Sequence, residues 1–183
     1  MPTLELIFGP MFAGKSTELI RHIRLLKVLN KNYVVIKPKI DVRYKDNMVV
    51  SHSNEKTDCI VLNKMNDIYN IISQIDFVSI DTIFIDEGQF FDDLKIVVIE
   101  LVEKHNKNVI VAGLDGDSNR NKFGQILDLI PYCDKLTKLN ALCLKCMDGT
   151  PGIFSHRDIN CMNQVLIGGS NEYSSMCRKH YLE

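Results

Sequence analysis

Eight consecutive residues near the start of the sequence have the composition of a phosphate-binding loop. They follow the pattern G-x-x-x-x-G-K-[ST] and are Gly9, Pro10, Met11, Phe12, Ala13, Gly14, Lys15 and Ser16. Glycines let successive backbone N–H groups turn toward one anion, and a lysine is a flexible charge that can reach the outer phosphates. The residues therefore predict a loop that binds nucleotide phosphates, with Lys15 stabilising the developing charge and the Ser16 hydroxyl binding Mg²⁺.

The sequence on either side of this loop favours phosphate binding over a chance match in an ordinary turn. A short apolar run, residues 4–8, precedes the loop, and residues 17–29 after it repeat apolar side chains at helical spacing. A strand, a glycine-rich loop and a helix in this order place the positive N-terminal end of the helix behind the anion.

Two acidic residues, Asp86 and Glu87, follow the apolar run 82–85. Adjacent residues of a strand point to opposite faces, so the pair is expected to divide two tasks. Asp86 would support Mg²⁺ directly or through water, and Glu87 would accept the proton of an attacking hydroxyl. The alternative is that both are solvated loop acids.

Two pairs of possible metal ligands lie near the end of the sequence, Cys143 with Cys146 and Cys177 with His180. A Cys₃His set is typical of a closed structural zinc centre. A redox-active C-x-x-C pair is the rival, weakened because no thioredoxin-like βαβ pattern surrounds it. Unpaired surface thiols are the third alternative, and buried or free thiols are expected at Cys59, Cys133 and Cys161.

The elements that must position these residues alternate along the chain. Apolar runs predict strands at 4–8, 33–36, 59–62, 82–87, 108–113 and 135–139; helical spacing predicts helices at 17–29, 68–75, 94–102 and 123–130. The polar stretch 39–58 is expected to contain a small hairpin. This alternation predicts an α/β fold with a parallel sheet and helices on both faces, forming residues 1–139. The change of composition after residue 139 predicts a zinc-binding subdomain at 140–183.

Composition and charge exclude several classes of protein. The 183 residues are 45% hydrophobic and 25% charged, as in a soluble globular protein, and no run approaches the roughly 20 apolar residues of a membrane helix. The net charge of −1 gives no electrostatic footprint for nucleic acid. Six cysteines without a secretory signal indicate a reducing compartment, so a cytoplasmic location is expected.

Other nucleotide-binding classes fit less well. A GTPase would have Asp-x-x-Gly, but Gly88 comes one place too early, and residues 63–66 lack the aspartate of a guanine-binding motif. An ATP-driven motor on nucleic acid is the remaining rival, because such motors also use a glutamate, to position water. The near-neutral charge and the small zinc-held loop count against a motor.

Taken together, these motifs resemble those of the type II thymidine kinases, the group found in cells, bacteria and large DNA viruses. The matching stretches are GPMFAGKSTE at 9–18, DEGQFF at 86–91, GLDG at 113–116, CLKC at 143–146, IGGSNEY at 167–173 and CRKHY at 177–181. They cover nearly the whole chain in the order of that family, and the chain is similar to its short viral form.

The resemblance implies a RecA-like P-loop sheet with flanking helices and a small C-terminal zinc-binding subdomain that carries a lasso-like loop. It implies transfer of a phosphoryl group from ATP to the 5′-hydroxyl of thymidine, with Mg²⁺ and a structural Zn²⁺ as cofactors. It further implies a homotetramer, feedback inhibition by dTTP and a role in nucleotide salvage.

The resemblance also assigns roles to individual residues. Catalytic roles fall to Glu87 as proton acceptor, Lys15 and Arg43. The ATP phosphates would be bound by residues 9–16 together with Asp41, Arg43, Asp86, Glu87, Gly88 and Gln89. The backbone of the lasso would bond the edge of the base through Gln164, Val165, Leu166, Ile167 and Gly168. The thymine would be enclosed by Met11, Phe90, Leu114 and Tyr173. The alternative for Met11 and Phe90 is a position in the hydrophobic core. The alternative for Tyr173 is packing against the zinc unit.

The sequence departs from the family pattern at three points. Ser118 stands where the family often has an aromatic residue against the base, which would thin one wall of the pocket. His180 replaces a fourth cysteine and is itself a good zinc ligand. The segment 147–157 is slightly longer, and Ser155 aligns with a small hydroxyl residue near the thymine methyl group.

Overall fold

The computed structural model describes residues 1–41, 48–50, 56–159 and 163–183. Two residues named above, Arg43 and Cys161, lie outside these ranges. Within them, no helix combines the length and apolarity needed to span a membrane.

A parallel sheet forms the centre of the molecule. In the described part of the chain it has six strands, which are β1 (Leu4–Phe8), β2 (Tyr33–Pro38), β5 (Ile60–Leu62), β6 (Thr82–Ile85), β7 (Asn108–Gly113) and β8 (Lys135–Lys138). Their order in the sheet is β5-β2-β6-β7-β1-β8, and every neighbouring pair is parallel. The predicted α/β fold with a parallel sheet is confirmed.

Helices cover both faces of the sheet, because successive strand residues point to opposite sides. On one face, Ile7 and Phe84 pack against α1 (Lys15–Val28). On the other face, Leu6 and Ile83 pack against α4 (Leu94–Glu103) and the 3-10 helix Ile126–Tyr132. The central strands β6 and β7 are therefore buried and largely apolar, which explains the apolar runs at 83–85 and 109–112, whereas the edge strand β8 is mostly exposed and carries two lysines.

Two predicted helices take a different form. Residues 68–75 form not one helix but α2 (Ile68–Ile71) followed by α3 (Gln74–Ser79). The break occurs because Ile72 is extended and Ser73 begins a new helix, its hydroxyl accepting the Asp76 N–H at 3.2 Å. The predicted helix 123–130 is instead the 3-10 helix 126–132, which contains Pro131.

Smaller elements complete the fold. The hairpin predicted within 39–58 is present as β3 (Met48–Val50) paired antiparallel with β4 (Lys56–Asp58). We call residues 141–183 the C-terminal segment. Its described residues, 141–159 and 163–183, form two short antiparallel pairs and one helix: β9 (Ala141–Leu142) with β10 (Pro151–Gly152), β11 (Phe154–Arg157) with β12 (Tyr173–Met176), and α5 (Arg178–Leu182).

Candidate active site

The predicted phosphate-binding loop connects β1 to α1, as its sequence context requires. At Gly9 an added Cβ would lie 2.2 Å from the Leu139 carbonyl oxygen, so a side chain has no room there. Gly14 adopts a left-handed conformation with a φ of 81° immediately before α1. Lys15 is 8% exposed, and its Nζ donates to the Pro10 carbonyl at 2.8 Å. The loop thus folds around its own lysine.

A cavity of about 450 Å³ runs along this loop. It is lined by Met11, Phe12, Gly14, Lys15, Ser16, Asp41, Met48, Val49, Asp86, Glu87, Leu114, Gly168, Gly169 and Ser170. Its volume is in the usual range for sites that bind small molecules. We call it the loop cavity.

The Ser16 hydroxyl and Asp86 meet on the wall of the loop cavity. Ser16 Oγ donates to Asp86 Oδ2 at 3.0 Å, and Asp86 Oδ1 accepts the Glu87 N–H at 3.1 Å. Asp86 is 5% exposed. A hydroxyl and a carboxylate facing one cavity form an oxygen donor set of the kind that Mg²⁺ prefers, so the residues predicted to bind magnesium are close enough to share an ion.

Glu87 is held in an unusual backbone conformation. Strand β6 ends at Ile85, and Glu87 has a φ of 51°, which is uncommon for a residue with a side chain. The Gln89 Nε2 group donates to the Glu87 carboxylate at 2.6 Å, and Gln89 Oε1 accepts the Leu114 N–H at 2.9 Å. The carboxylate is therefore aimed by a turn after the strand and by the Gln89 amide.

A second, smaller pocket adjoins the loop cavity. Its volume is about 30 Å³. It is lined by Met11, Glu87, Phe90, Leu114, Gly116, Asp117, Ser118, Phe123, Ser155, Arg157, Gln164, Leu166, Ile167, Gly168 and Tyr173. We call it the inner pocket. Its lining includes every residue predicted to contact the nucleoside except Val165.

Three side chains of the inner pocket were not predicted as site residues. Phe123 contacts Phe90 edge to face, with ring centroids 5.4 Å apart, and adds apolar wall near Ser118. Asp117 and Arg157 bring a carboxylate and a guanidinium to the same pocket. Sequence spacing carried no signal for these residues, because their neighbours across the pocket lie far away in the chain.

Glu87 lines both the loop cavity and the inner pocket. Met11, Leu114 and Gly168 are also shared by the two. The Glu87 carboxylate therefore lies at the boundary between the loop cavity and the inner pocket.

Residues 164–168, here called the base-edge segment, are held by side chains of the C-terminal segment. Arg157 donates to the Asn163 carbonyl at 2.6 Å and to the Gln164 carbonyl at 2.9 Å. The Tyr173 hydroxyl donates to the Leu166 carbonyl at 2.8 Å. Tyr173 thus has two roles in the structure, lining the inner pocket and anchoring this segment.

Two further contacts join the C-terminal segment to the sheet. Ser155 Oγ accepts the Met11 N–H at 2.9 Å, so β11 contacts the phosphate-binding loop. The Tyr181 hydroxyl donates to the Ser118 carbonyl at 2.6 Å. The inner pocket lies between these contacts and consequently depends on both parts of the chain.

Four predicted metal ligands converge in the C-terminal segment. The ligand atoms of Cys143, Cys146, Cys177 and His180 all lie within 4.8 Å of one another. Cys146 Sγ is 3.8 Å from Cys177 Sγ, and His180 Nδ1 is 3.3 to 3.5 Å from the three sulfurs. A tetrahedral zinc site would separate sulfur from sulfur by about 3.8 Å and sulfur from nitrogen by about 3.5 Å. The four residues therefore fit a zinc ion, and this convergence disfavours an isolated redox pair.

The two thiols of the C-x-x-C pair have different surroundings. Burial raises the pKa of Cys143, but hydrogen bonds from the Cys177 backbone and from His180 outweigh it and lower that pKa to about 5, whereas burial and a hydrogen bond with Cys143 raise the pKa of Cys146 to about 11. His180 Nε2 is 3.9 Å from the Glu183 carboxylate, which can orient the ring so that Nδ1 faces the sulfurs. Among the other described cysteines, Cys59 and Cys133 are free and partly buried.

Comparisons with known proteins agree with this arrangement. The thymidine kinase family profile matches residues 2–181. A thymidine kinase of Oryza sativa subsp. japonica is 40% identical over 181 residues, covering 98% of this chain and 66% of the relative. The thymidine kinase of Bacteroides thetaiotaomicron is 38% identical over 179 residues, covering 98% and 86%. That of Sheeppox virus is 39% identical over 178 residues, covering 97% and 96%. This chain therefore belongs to the thymidine kinase family of enzymes.

Proposed function

We propose that the chain transfers the γ-phosphoryl group of ATP to the 5′-hydroxyl of thymidine, giving dTMP and ADP. The observation that carries the proposal is the position of Glu87, which lines both the loop cavity and the inner pocket. A carboxylate there can accept the proton of a hydroxyl that attacks from the inner pocket toward the loop cavity. Family membership supports thymidine as the occupant of the inner pocket.

The phosphates of ATP are proposed to lie in the loop cavity. Lys15 would exchange its contact with the Pro10 carbonyl for a phosphate oxygen, and the N–H groups of residues 9–16 would complete the anion site. Ser16 and Asp86 would hold Mg²⁺, which supplies charge neutralisation for the phosphates when bound. Arg43 remains a predicted contributor of a planar donor group.

The thymine base is proposed to enter the inner pocket between apolar side chains. Met11, Phe90, Leu114 and Phe123 would contact the ring faces, and the backbone of the base-edge segment would bond the polar edge.

A nucleoside panel tests the proposal. The purified protein would be incubated with ATP, Mg²⁺ and either thymidine, deoxyuridine, deoxycytidine or deoxyguanosine, and both monophosphate and ADP would be followed. We expect turnover with thymidine and deoxyuridine and none with deoxyguanosine. The deoxycytidine reaction shows whether a pocket with Ser118 and Ser155 has a lower selectivity for thymidine over other pyrimidine nucleosides.

Two control reactions separate a kinase from an ATPase. One omits the nucleoside, and the other replaces it with single-stranded DNA. ADP release without a nucleoside product, increasing with DNA, would contradict the proposal and favour a motor.

Several further properties are part of the same proposal. We propose a structural zinc ion at the Cys₃His site, a division into residues 1–139 and 140–183, a homotetramer, feedback inhibition by dTTP and a cytoplasmic location. Sedimentation of the purified protein tests the assembly, and thymidine assays with added dTTP test the inhibition.

A further inference from the structure

We propose that Asp117 is a positioning residue for the nucleoside, acting through Gln164. The Gln164 Nε2 group donates to Asp117 Oδ2 at 2.8 Å across 47 positions of the chain. We call this contact the Asp117–Gln164 clasp. It holds the base-edge segment at the distance from which that segment can bond the nucleoside, so the proposal rests on the function proposed above.

Asp117 is a buried carboxylate that accepts hydrogen bonds from its own loop and from the base-edge segment. It is 6% exposed and lines the inner pocket. Its Oδ1 accepts the N–H groups of Asn119 at 2.9 Å and Asn121 at 2.8 Å, which fixes the loop after β7. Its Oδ2 is then directed to Gln164. One side chain therefore shapes the loop and holds the base-edge segment.

The clasp differs from the other anchors of the base-edge segment in its origin. Arg157 and Tyr173 belong to the C-terminal segment, as the base-edge segment does. Asp117 belongs to the loop that follows β7 and is thus attached to the central sheet. The clasp consequently sets the distance between the two sides of the inner pocket, whereas Arg157 and Tyr173 set the internal shape of one side.

The chemistry of the clasp makes it sensitive to charge. An ionised carboxylate only accepts hydrogen bonds, so the Gln164 amide must present its NH₂ group to Asp117. A glutamate at position 164 would place a second carboxylate against the first and push the base-edge segment away. An asparagine at position 117 would then restore a hydrogen bond, because its NH₂ group can donate to the new glutamate.

A double-mutant cycle tests the clasp. The wild type, Gln164→Glu, Asp117→Asn and the double variant would be compared by steady-state kinetics and by calorimetric binding of thymidine without ATP. We expect Gln164→Glu to raise the KM and Kd for thymidine about tenfold and to leave the KM for ATP within about twofold. The double variant should return to within about threefold of the wild type, and Asp117→Asn alone should be mild because the Gln164 amide can flip.

The possible outcomes are distinct. The clasp proposal is overturned if Gln164→Glu leaves thymidine affinity unchanged, if it changes ATP and thymidine equally, or if the double variant is no better than the single. If the wild type turns over thymidine, only the clasp proposal fails in those cases. If the wild type neither binds nor phosphorylates thymidine, the proposed function fails and the clasp proposal with it. Thermal melting and zinc content of each variant identify a folding defect.

Discussion

At the scale of single residues, the backbone of Glu87 decides where the proposed chemistry occurs. With a φ of 51°, the chain turns sharply after β6 and carries the carboxylate to the boundary of the two cavities. Such conformations cost roughly 1–3 kcal/mol and persist where surrounding contacts enforce them. Here the bond from Gln89 and the buried strand before the turn provide that enforcement.

Replacing Glu87 by glutamine should remove the proton acceptor while keeping the shape of the side chain. We expect kcat to fall by about 10²–10⁴-fold, with thymidine affinity within about threefold of the wild type. Steady-state assays and calorimetry measure the two quantities. Glu103→Gln, an exposed change on α4, is the matched control and should leave both unchanged. Near-native turnover of Glu87→Gln would remove Glu87 from the mechanism.

Gly113 is predicted to be required for full catalytic activity because it leaves room for Gln89, the side chain that orients Glu87. A Cβ at this position would lie 2.4 Å from Gln89 Oε1. We expect Gly113→Ala to displace the Gln89 amide and to lower kcat about ten- to a hundredfold. If the effect passes through Gln89, the double variant with Gln89→Ala should be no slower than Gln89→Ala alone. Additive losses would show that Gly113 acts by another route.

At the scale of elements, Lys107 joins the end of α3 to the start of β7. Its Nζ donates to the carbonyls of Phe77 at 2.7 Å, Val78 at 3.1 Å and Ile80 at 2.7 Å. These carbonyls lie at the C-terminal end of α3, where the helix offers few N–H donors; the Phe77 carbonyl also accepts the Ile80 N–H at 3.4 Å. The lysine is 6% exposed, so water cannot readily replace it.

Lys107→Met keeps the apolar stem of the side chain and removes the ammonium group. We expect the free energy of unfolding to fall by about 2–3 kcal/mol, because several carbonyls lose a charged donor. Denaturant titration measures the change. Lys104→Met removes an exposed pair with Glu100 and should shift stability by less than about 0.5 kcal/mol. Equal effects of the two variants would contradict the buried role of Lys107.

The strands were predicted from the sequence more accurately than the helices. Runs such as Ile83-Phe84-Ile85 predicted buried parallel strands because both faces of the sheet are covered. The helix predicted across Ser73 was wrong, since that serine caps a new helix instead of continuing the old one. Gly124 has a φ of 59°, which a right-handed helix does not allow, so the helix predicted from residue 123 is replaced by the shorter 3-10 helix 126–132.

The candidate site could be predicted where a short motif carries the chemistry. The residues at 9–16 and at 86–87 are informative because neighbours in the chain act together. Asp117, Phe123 and Arg157 gave no such signal, since their contacts with Gln164, Phe90 and Tyr173 join residues that only folding brings together. Long-range contacts of this kind leave no periodicity in the sequence.

At the scale of the whole molecule, the Cys₃His site and the inner pocket are neighbours. His180 is followed by Tyr181, whose hydroxyl holds the Ser118 carbonyl on the wall of the inner pocket. A metal ion that orders the C-terminal segment would therefore also stabilise the Ser118 wall of the inner pocket.

His180→Ala should remove one metal ligand and release the C-terminal segment. We expect loss of roughly stoichiometric zinc, a lower melting temperature and a thymidine KM that rises more than the ATP KM. Elemental analysis, thermal melting and kinetics provide the three measurements. His180→Cys keeps a complete ligand set and should retain the metal. Wild-type protein that purifies without zinc and resists chelators would refute the structural site.

The bond between Met11 and Ser155 has a thermodynamic consequence. Met11 lines both cavities, and its N–H group is held by a residue of β11. A phosphate that draws this N–H toward itself would loosen β11, and a nucleoside that moves β11 would alter the phosphate-binding loop. With ATP and thymidine bound as proposed, the two ligands are then energetically linked, and linkage is reciprocal. Whatever factor thymidine applies to the dissociation constant of ATP, ATP must apply to that of thymidine.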